Sequence, residues 1–290
     1  MSSKKGLIIL NPVSGRKPNP DLKKILEDSF PQNNGNSVVE SESADHIRKL
    51  SQQAIQQQFD FVVIAGGDGS VNQVASELAG SGIPLGIIPT GSGNGLARFL
   101  KISSDPVGAI NIILSGKRQP VDMLEINNYR CVSIAGCGFD AWVAKKFSQK
   151  KKRGFQAYAA SVISGYFKYK SDEYVILSPA QQTEKAFILS FANTNQYGYN
   201  FTIAPEAVID DGLLDICLVK KVPLYAVPFF LHRMFYGKLK NSRYLKSIQT
   251  SSAIIRRKHG TLIHIDGDPL ELSGELNISV IKHAIQVFCP

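Results

Sequence analysis

The chain has 290 residues, 43% hydrophobic and 20% charged, which excludes a disordered polyelectrolyte and leaves room for one large domain or two ordinary ones. Its formal charge of +9 points to a polyanionic partner (a nucleotide, an anionic membrane surface or a nucleic acid) without choosing among them. No apolar run approaches the ~18 residues of a membrane-spanning helix, and Leu7–Leu10 behind Lys4 and Lys5 is too short for a signal-peptide core, so the cytoplasm is the expected location.

Leu7–Leu10 reads as the first buried strand of a parallel sheet. It ends in Asn11-Pro-Val-Ser-Gly-Arg16, a loop of turn formers carrying an amide, a hydroxyl and a guanidinium. A helix is expected from Asp21, its N-cap, to Phe30; a strand over Ser37–Glu40; and a polar helix from Ser43 or Asp45 to Gln58. Phe61–Ala65 is a third strand. It breaks at Gly66-Gly-Asp-Gly69, after which Val71, Val74, Ala75, Leu78 and Ala79 share one helical face.

A strand, a glycine turn and a helix N-terminus together leave free backbone N–H groups facing an anion, and glycine lets the backbone come close to it. Asp68 is the odd member, because a carboxylate repels phosphate unless a divalent cation lies between. A Mg–nucleotide polyphosphate is one reading of this stretch; a tight turn in which Asp68 caps a helix is the other. Gly82–Pro89 supplies a fourth strand and delivers a second glycine cluster, Pro89-Thr-Gly-Ser-Gly-Asn94. Strands alternating with helices imply a doubly wound α/β unit, whose post-strand loops gather at one edge of the sheet. Asn11, Asp68 and the Ser92–Asn94 turn are therefore expected to converge.

Pro106–Leu114 is a closing helix ended by Gly116, and the rhythm then changes. Val121–Ile126 and Tyr129–Ile134, joined by Asn127-Asn128, read as a hairpin. Further strands are expected at Tyr174–Leu177, Ala186–Phe191, Leu213–Leu218, Ser252–Arg256, Thr261–Ile265 and Leu276–Ile281, which implies an antiparallel β-sandwich. The boundary is placed near residue 120. Two insertions, 140–170 and 222–246, mix basic residues (the run Lys150–Arg153, then Arg233, Lys238, Lys240 and Arg243) with large apolar ones such as Tyr166, Phe167, Phe229 and Phe235. Such segments either seek an anionic interface or simply cover a sheet. The four cysteines lack metal spacing and are expected to be reduced; the five histidines fit no motif and are expected at the surface or as satisfied core residues.

Asn11-Pro-Val-Ser-Gly15, Gly66-Gly-Asp-Gly-Ser70, Pro89-Thr-Gly-Ser-Gly-Asn94 and Ile265-Asp-Gly-Asp268 occur in that order. In this order and spacing the chain resembles the diacylglycerol kinase catalytic family, which includes soluble bacterial lipid kinases, sphingosine kinases and ceramide kinases. The resemblance implies an ATP-binding α/β domain over 1–120, of the doubly wound form shared with NAD kinases and joined by 283–290, and a lipid-presenting β-sandwich over 121–282. It implies nucleotide contacts from Asn11, Pro12, Ser14, Gly15, Ser41, Gly66, Gly67, Asp68, Gly69, Ser70, Thr90, Gly91, Ser92, Gly93 and Asn94. Asp68 would hold the Mg²⁺ that accompanies ATP, Asp122 would meet the lipid head group (a strand-end turn cap is its other reading), and Asp211 and Asp215 would hold a second, structural cation. An Asp-Gly turn needing no metal is the other reading of that acidic cluster.

The family's proton acceptor is usually the Glu of a D-G-E motif. Here the matching residue is Asp268, one methylene shorter, with Asp266 as its partner, and the shorter acid raises the alternative of a weak or inactive kinase. The expected substrate is diacylglycerol or a related glycerolipid; a sphingoid base or ceramide, an NAD kinase, and a non-catalytic lipid- or nucleotide-binding module are the alternatives. Transient contact with an anionic membrane, peripheral at its inner face, is expected, and nucleic-acid binding is not.

Overall fold

The computed structural model describes residues 4–15, 20–149, 155–197 and 201–290, and of 155–158 only the backbone. Arg16 and the basic run Lys150–Arg153 lie outside the described residues. The chain divides into two compact units, 1–121 with 283–290, and 122–282.

In the first unit, β1 (Gly6–Leu10), α1 (Leu22–Ser29), β2 (Ser37–Glu40), α2 (Ala44–Gln56), β3 (Phe61–Gly66), α3 (Asp68–Leu78), β4 (Leu85–Pro89), α4 (Gly95–Phe99) and α5 (Pro106–Ser115) alternate along the chain. The strands pair in parallel in the order β2-β1-β3-β4, and Val287 from the end of the chain pairs with Leu85 of β4. β1, β3 and β4 are buried along their whole length, as expected of continuous apolar runs in a parallel sheet.

Local chemistry sets the helix ends. The Ser43 hydroxyl accepts the His46 N–H at 3.1 Å and caps α2, and Asp105 accepts the Gly108 N–H at 2.8 Å ahead of Pro106 in α5. Gly116 ends α5 with φ 74°, which an L side chain adopts only under strain. Asp21 precedes α1 but makes no side-chain cap bond. α3 starts three residues earlier than the apolar face suggests, at Asp68, so the last three residues of Gly66–Ser70 form its first turn.

The chain leaves the first unit within β5 (Arg118–Ile126). The second unit then holds β6 (Tyr129–Cys131), β7 (Ile134–Gly138), α6 (Phe139–Ser148), α7 (Phe155–Lys168), β8 (Asp172–Ser178), β9 (Gln182–Ala186), β10 (Ile188–Ala192) and β11 (Leu214–Val219). It continues with α8 (Val227–Phe235), β12 (Leu245–Thr250), β13 (Ser252–Arg257), β14 (Leu262–Ile265), β15 (Asp268–Glu271) and most of β16 (Glu275–Phe288). One antiparallel sheet runs β12-β11-β10-β7-β14-β15; against it lie β13, its antiparallel neighbours β8 and β16, and β9 beside β8. Leu124, Tyr174, Ile255 and Ile278 pack with Leu189, Phe191, Ile216 and Ile263 to form the core of this sandwich. The expected fold class, a doubly wound α/β unit followed by an antiparallel sandwich, is the observed one.

Three strands carry no apolar run and escape sequence reading: β9, β12 and β15. All three are edge strands, where one face is wet and alternation is weak. The expected strand Tyr129–Ile134 is instead two. Val132 and Ser133 leave the ladder because their N–H groups turn to the carboxylate of Asp266. The four cysteines are free and buried.

Candidate active site

The three glycine loops of the first unit meet at the carboxyl ends of β1, β3 and β4. A Cβ on Gly91 would fall 2.6 Å from the Gly67 Cα, one on Gly93 2.6 Å from an Asp68 carboxylate oxygen, and one on Gly15 2.4 Å from the Thr90 carbonyl oxygen. Glycine is thus required because backbone abuts backbone, and at Gly15 also because φ is 90°. Polar side chains lock the loops together. The Asn11 amide donates to the Ser70 hydroxyl at 2.8 Å, the Ser14 and Thr90 hydroxyls share a short hydrogen bond, and the Asn94 amide donates to the Gly91 carbonyl at 2.7 Å.

Asp68 ties the second loop to the third. Its carboxylate accepts the N–H of Gly95 at 2.6 Å and of Asn94 at 2.8 Å, capping α4. Burial raises its pKa above the ordinary carboxylate value, while the Gly95 and Asn94 N–H groups oppose the rise. Asp68 is thus the first residue of α3, whose N-cap is Gly67, and caps α4 rather than the helix it opens. The first-turn N–H groups of α3, at Asp68, Gly69 and Ser70, precede the first backbone bond of the helix, from the Val71 N–H to the Gly67 carbonyl. Pro12 and Ser92 are exposed at the rim. Ser41 is buried, its hydroxyl donating to the Leu10 carbonyl at 3.3 Å, so it braces β1 rather than offering a contact.

In the second unit, Asp266 and Gly267 form the two-residue loop between β14 and β15, with φ 47° and 88°. Positive φ at both positions is the type I′ hairpin that an Asp-Gly pair favours. The Asp266 carboxylate turns inward and accepts the N–H groups of Val132 at 3.0 Å, Ser133 at 2.9 Å and Ile134 at 3.0 Å. Burial pushes its pKa up to about 6, against the pull of those three donors. Asp268 opens β15 and is exposed. The two acids expected to act as a pair thus differ: Asp266 anchors the turn, and Asp268 is presented by it.

Residues 5–126 match the family model of the diacylglycerol kinase catalytic domain, and residues 133–289 that of the YegS C-terminal NAD kinase beta sandwich-like domain. The chain belongs to the diacylglycerol kinase catalytic family. Among its relatives, the Probable lipid kinase YegS-like of Pseudomonas aeruginosa is 28% identical over 84% of this chain and 81% of the relative. The Diacylglycerol kinase of Mycobacterium tuberculosis is 28% identical over 88% of this chain and 86% of the relative. A crystal structure of a diacylglycerol kinase from Bacillus anthracis shares the fold, with a TM-score of 0.76 at 19% identity, over 99% of this chain and 97% of that one.

The other acids of this diacylglycerol kinase-family chain are committed to its own backbone and side chains. Asp122 is fully buried; its carboxylate accepts the Gly212 N–H at 2.6 Å and its N–H donates to the Ile209 carbonyl at 2.7 Å. It latches the 209–212 turn from inside the sandwich, so the head-group contact expected of it has no exposed surface to act through. Asp211 accepts the Leu213 N–H at 2.8 Å, while Asp215, buried on β11, accepts from Ser247 at 3.3 Å and Gln249 at 3.5 Å. Among the described residues no three His, Cys, Asp or Glu side chains gather as a metal site. Asp215 and Glu206 share a small cavity with Lys240, which pairs with Glu206 and supplies positive charge there. This donor set fits a self-satisfied turn better than a second cation.

Sequence reading missed a buried cluster in the same unit. One Asp140 oxygen accepts from the Tyr197 hydroxyl at 2.9 Å, lies 3.1 Å from His264 Nε2 and accepts from the Ser190 hydroxyl at 3.2 Å. These four residues are scattered over α6, β10, β14 and the segment after β10, with no motif to connect them. The one available signal was a histidine two residues before Asp266.

Proposed function

We propose that this chain transfers the γ-phosphoryl group of Mg–ATP to the hydroxyl of a lipid alcohol, with diacylglycerol or a related glycerolipid as the preferred acceptor. The observation that carries this reading is the mutual contact of Gly15, Gly67, Gly91 and Gly93 loops around Asp68. A rim of close-packed glycines and first-turn N–H groups suits a polyphosphate, whose transfer needs positioning and charge neutralisation more than covalent help. One carboxylate, not a cluster, suits a magnesium ion that arrives with the nucleotide and keeps its remaining ligands from phosphate and water. The cation would neutralise charge on the transferring group.

The chain's own groups divide the rest of the work. Asn11, Ser14, Ser70 and Thr90 fix the loops that cradle the phosphates. Asp268 takes the acceptor hydroxyl proton as the new oxygen–phosphorus bond forms and the bond to the ADP oxygen breaks. Leu224, Tyr225, Phe229, Phe235 and Tyr236 are exposed on and beside α8, with Arg233 stacked 5.8 Å from the Phe229 ring. Rings with interleaved cations suit reversible docking on an anionic bilayer, from which the lipid is drawn.

A direct test incubates the protein with ATP, Mg²⁺ and mixed micelles, each holding one lipid alcohol, and with NAD in parallel. The expected result is a product one phosphate heavier in the diacylglycerol sample, read by mass. Product only from NAD would replace the reading with an NAD kinase, product from a sphingoid base or ceramide alone would move the substrate class, and ATP binding without any product would leave a non-catalytic module.

A further inference from the structure

The buried His264–Asp140 pair is wired to the Asp266–Asp268 turn. The Gly267 N–H donates to His264 Nδ1 at 3.3 Å. A ring nitrogen that accepts cannot carry the proton, so the proton is on Nε2, which faces the Asp140 carboxylate at 3.1 Å. Asp140 is held in turn by the Tyr197 and Ser190 hydroxyls and, through its other oxygen, by the Ala141 N–H at 2.8 Å. His264 is 4% exposed, so its ring has no solvent to reorient into. β7 makes room for the pair: a Cβ on Gly136 would sit 2.4 Å from the Asp140 oxygen and 3.1 Å from His264 Nε2.

We propose that Asp140 and His264 are positioning residues for the proton acceptor: Asp140 fixes the tautomer of His264, and His264 Nδ1 fixes the Gly267 peptide and so the direction in which Asp268 leaves the turn. Two clamps then define the loop, Asp266 on the 132–134 backbone and His264 on Gly267. The second clamp matters more here than it would for a glutamate, because Asp268 is one methylene shorter and has less reach to correct a misdirected backbone. Orientation through a second residue is the usual way that a reacting group is held within tenths of an ångström. This inference rests on the proposed role of Asp268.

Two substitutions separate the ring's two nitrogens. In His264→Asn the side-chain oxygen can replace Nδ1 and keep the Gly267 bond; in His264→Gln the amide reaches Asp140 and the Gly267 bond is lost. The measurements are kcat and KM with Mg–ATP and diacylglycerol micelles, and the Gly267 amide hydrogen-exchange rate by NMR. The expected result is a kcat loss of about 10- to 100-fold for His264→Gln, with both KM values within about threefold, faster Gly267 exchange, and substantial rescue of both in His264→Asn. Faster Gly267 exchange with unchanged kcat, unchanged exchange in His264→Gln, or equal impairment of the two variants would each overturn the proposal. Full activity in Asp268→Asn would instead overturn the catalytic assignment of Asp268, while the Gly267 exchange rates would still report whether His264 holds the turn.

Discussion

The glycine rim of the first unit and the Asp266–Asp268 turn of the second solve the same problem, holding a loop in one conformation, by different means. At the rim the backbone itself is the surface, and what matters is the absence of side chains: a Cβ on Gly91 would fall 2.6 Å from the Gly67 Cα. At the turn the backbone is held by side chains, Asp266 reaching from the turn to residues 132–134 and His264 to Gly267, three residues on. The first arrangement leaves a local mark in the sequence, since only glycine fits. The second leaves almost none, because the contacts of Asp266 with Ser133 and of His264 with Asp140 are made by folding, between residues more than 120 positions apart. A backbone-built site is therefore the easier of the two to read and the less tolerant of added atoms.

The comparison breaks most directly at Asp268. Asp268→Asn should lower kcat by about 10²- to 10⁴-fold, the span of general acid–base catalysis, with the thermal midpoint unchanged because the side chain is exposed. Near-normal kcat in that variant would return the turn to a structural role. At the rim, Gly91→Ala should cost about 10²-fold in kcat/KM for ATP, since its Cβ must push the Gly67 loop away. Asp68→Asn, which keeps an acceptor for one of the two N–H groups but loses the charge, should also abolish most turnover. Were Gly91→Ala silent and Asp68→Asn inactive, charge and not loop geometry would dominate the rim.

A smaller effect is expected on α8. Phe229→Ser should weaken binding to vesicles rich in anionic lipid by about fivefold, from the apolar area removed, and leave turnover of a water-dispersed short-chain acceptor unchanged. Equal binding by both proteins in a sedimentation assay would show that α8 only covers its sheet. A last effect, on stability and not on turnover, concerns Asp266, whose folded pKa of about 6 lies above its ordinary value of 3.8. Its ionisation is easier in the unfolded chain, so its contribution to stability is greatest below pH 4 and is lost as pH rises through 6. The stability of the wild type relative to Asp266→Asn should accordingly fall between pH 4 and pH 7, by at most about 3 kcal/mol, as read from urea unfolding. A flat difference would mean that the three N–H donors fully offset burial.

The alternation of apolar runs and helices was enough to place the α/β unit, because buried parallel strands such as β1, β3 and β4 must be apolar throughout. The four glycine- and aspartate-bearing motifs were enough to assign the family, since close backbone contact at Gly15 and Gly91 and a positive φ at Gly267 favour glycine at fixed positions. Edge strands, the split at Val132 and Ser133, the burial of Asp122 and the Asp140–His264 pair were decided only by tertiary structure. Apart from the edge strands, each depends on a partner distant in the chain. A sequence records what a residue's own backbone requires; which far-off group satisfies a buried carboxylate or imidazole is settled when the sheets pack and water leaves.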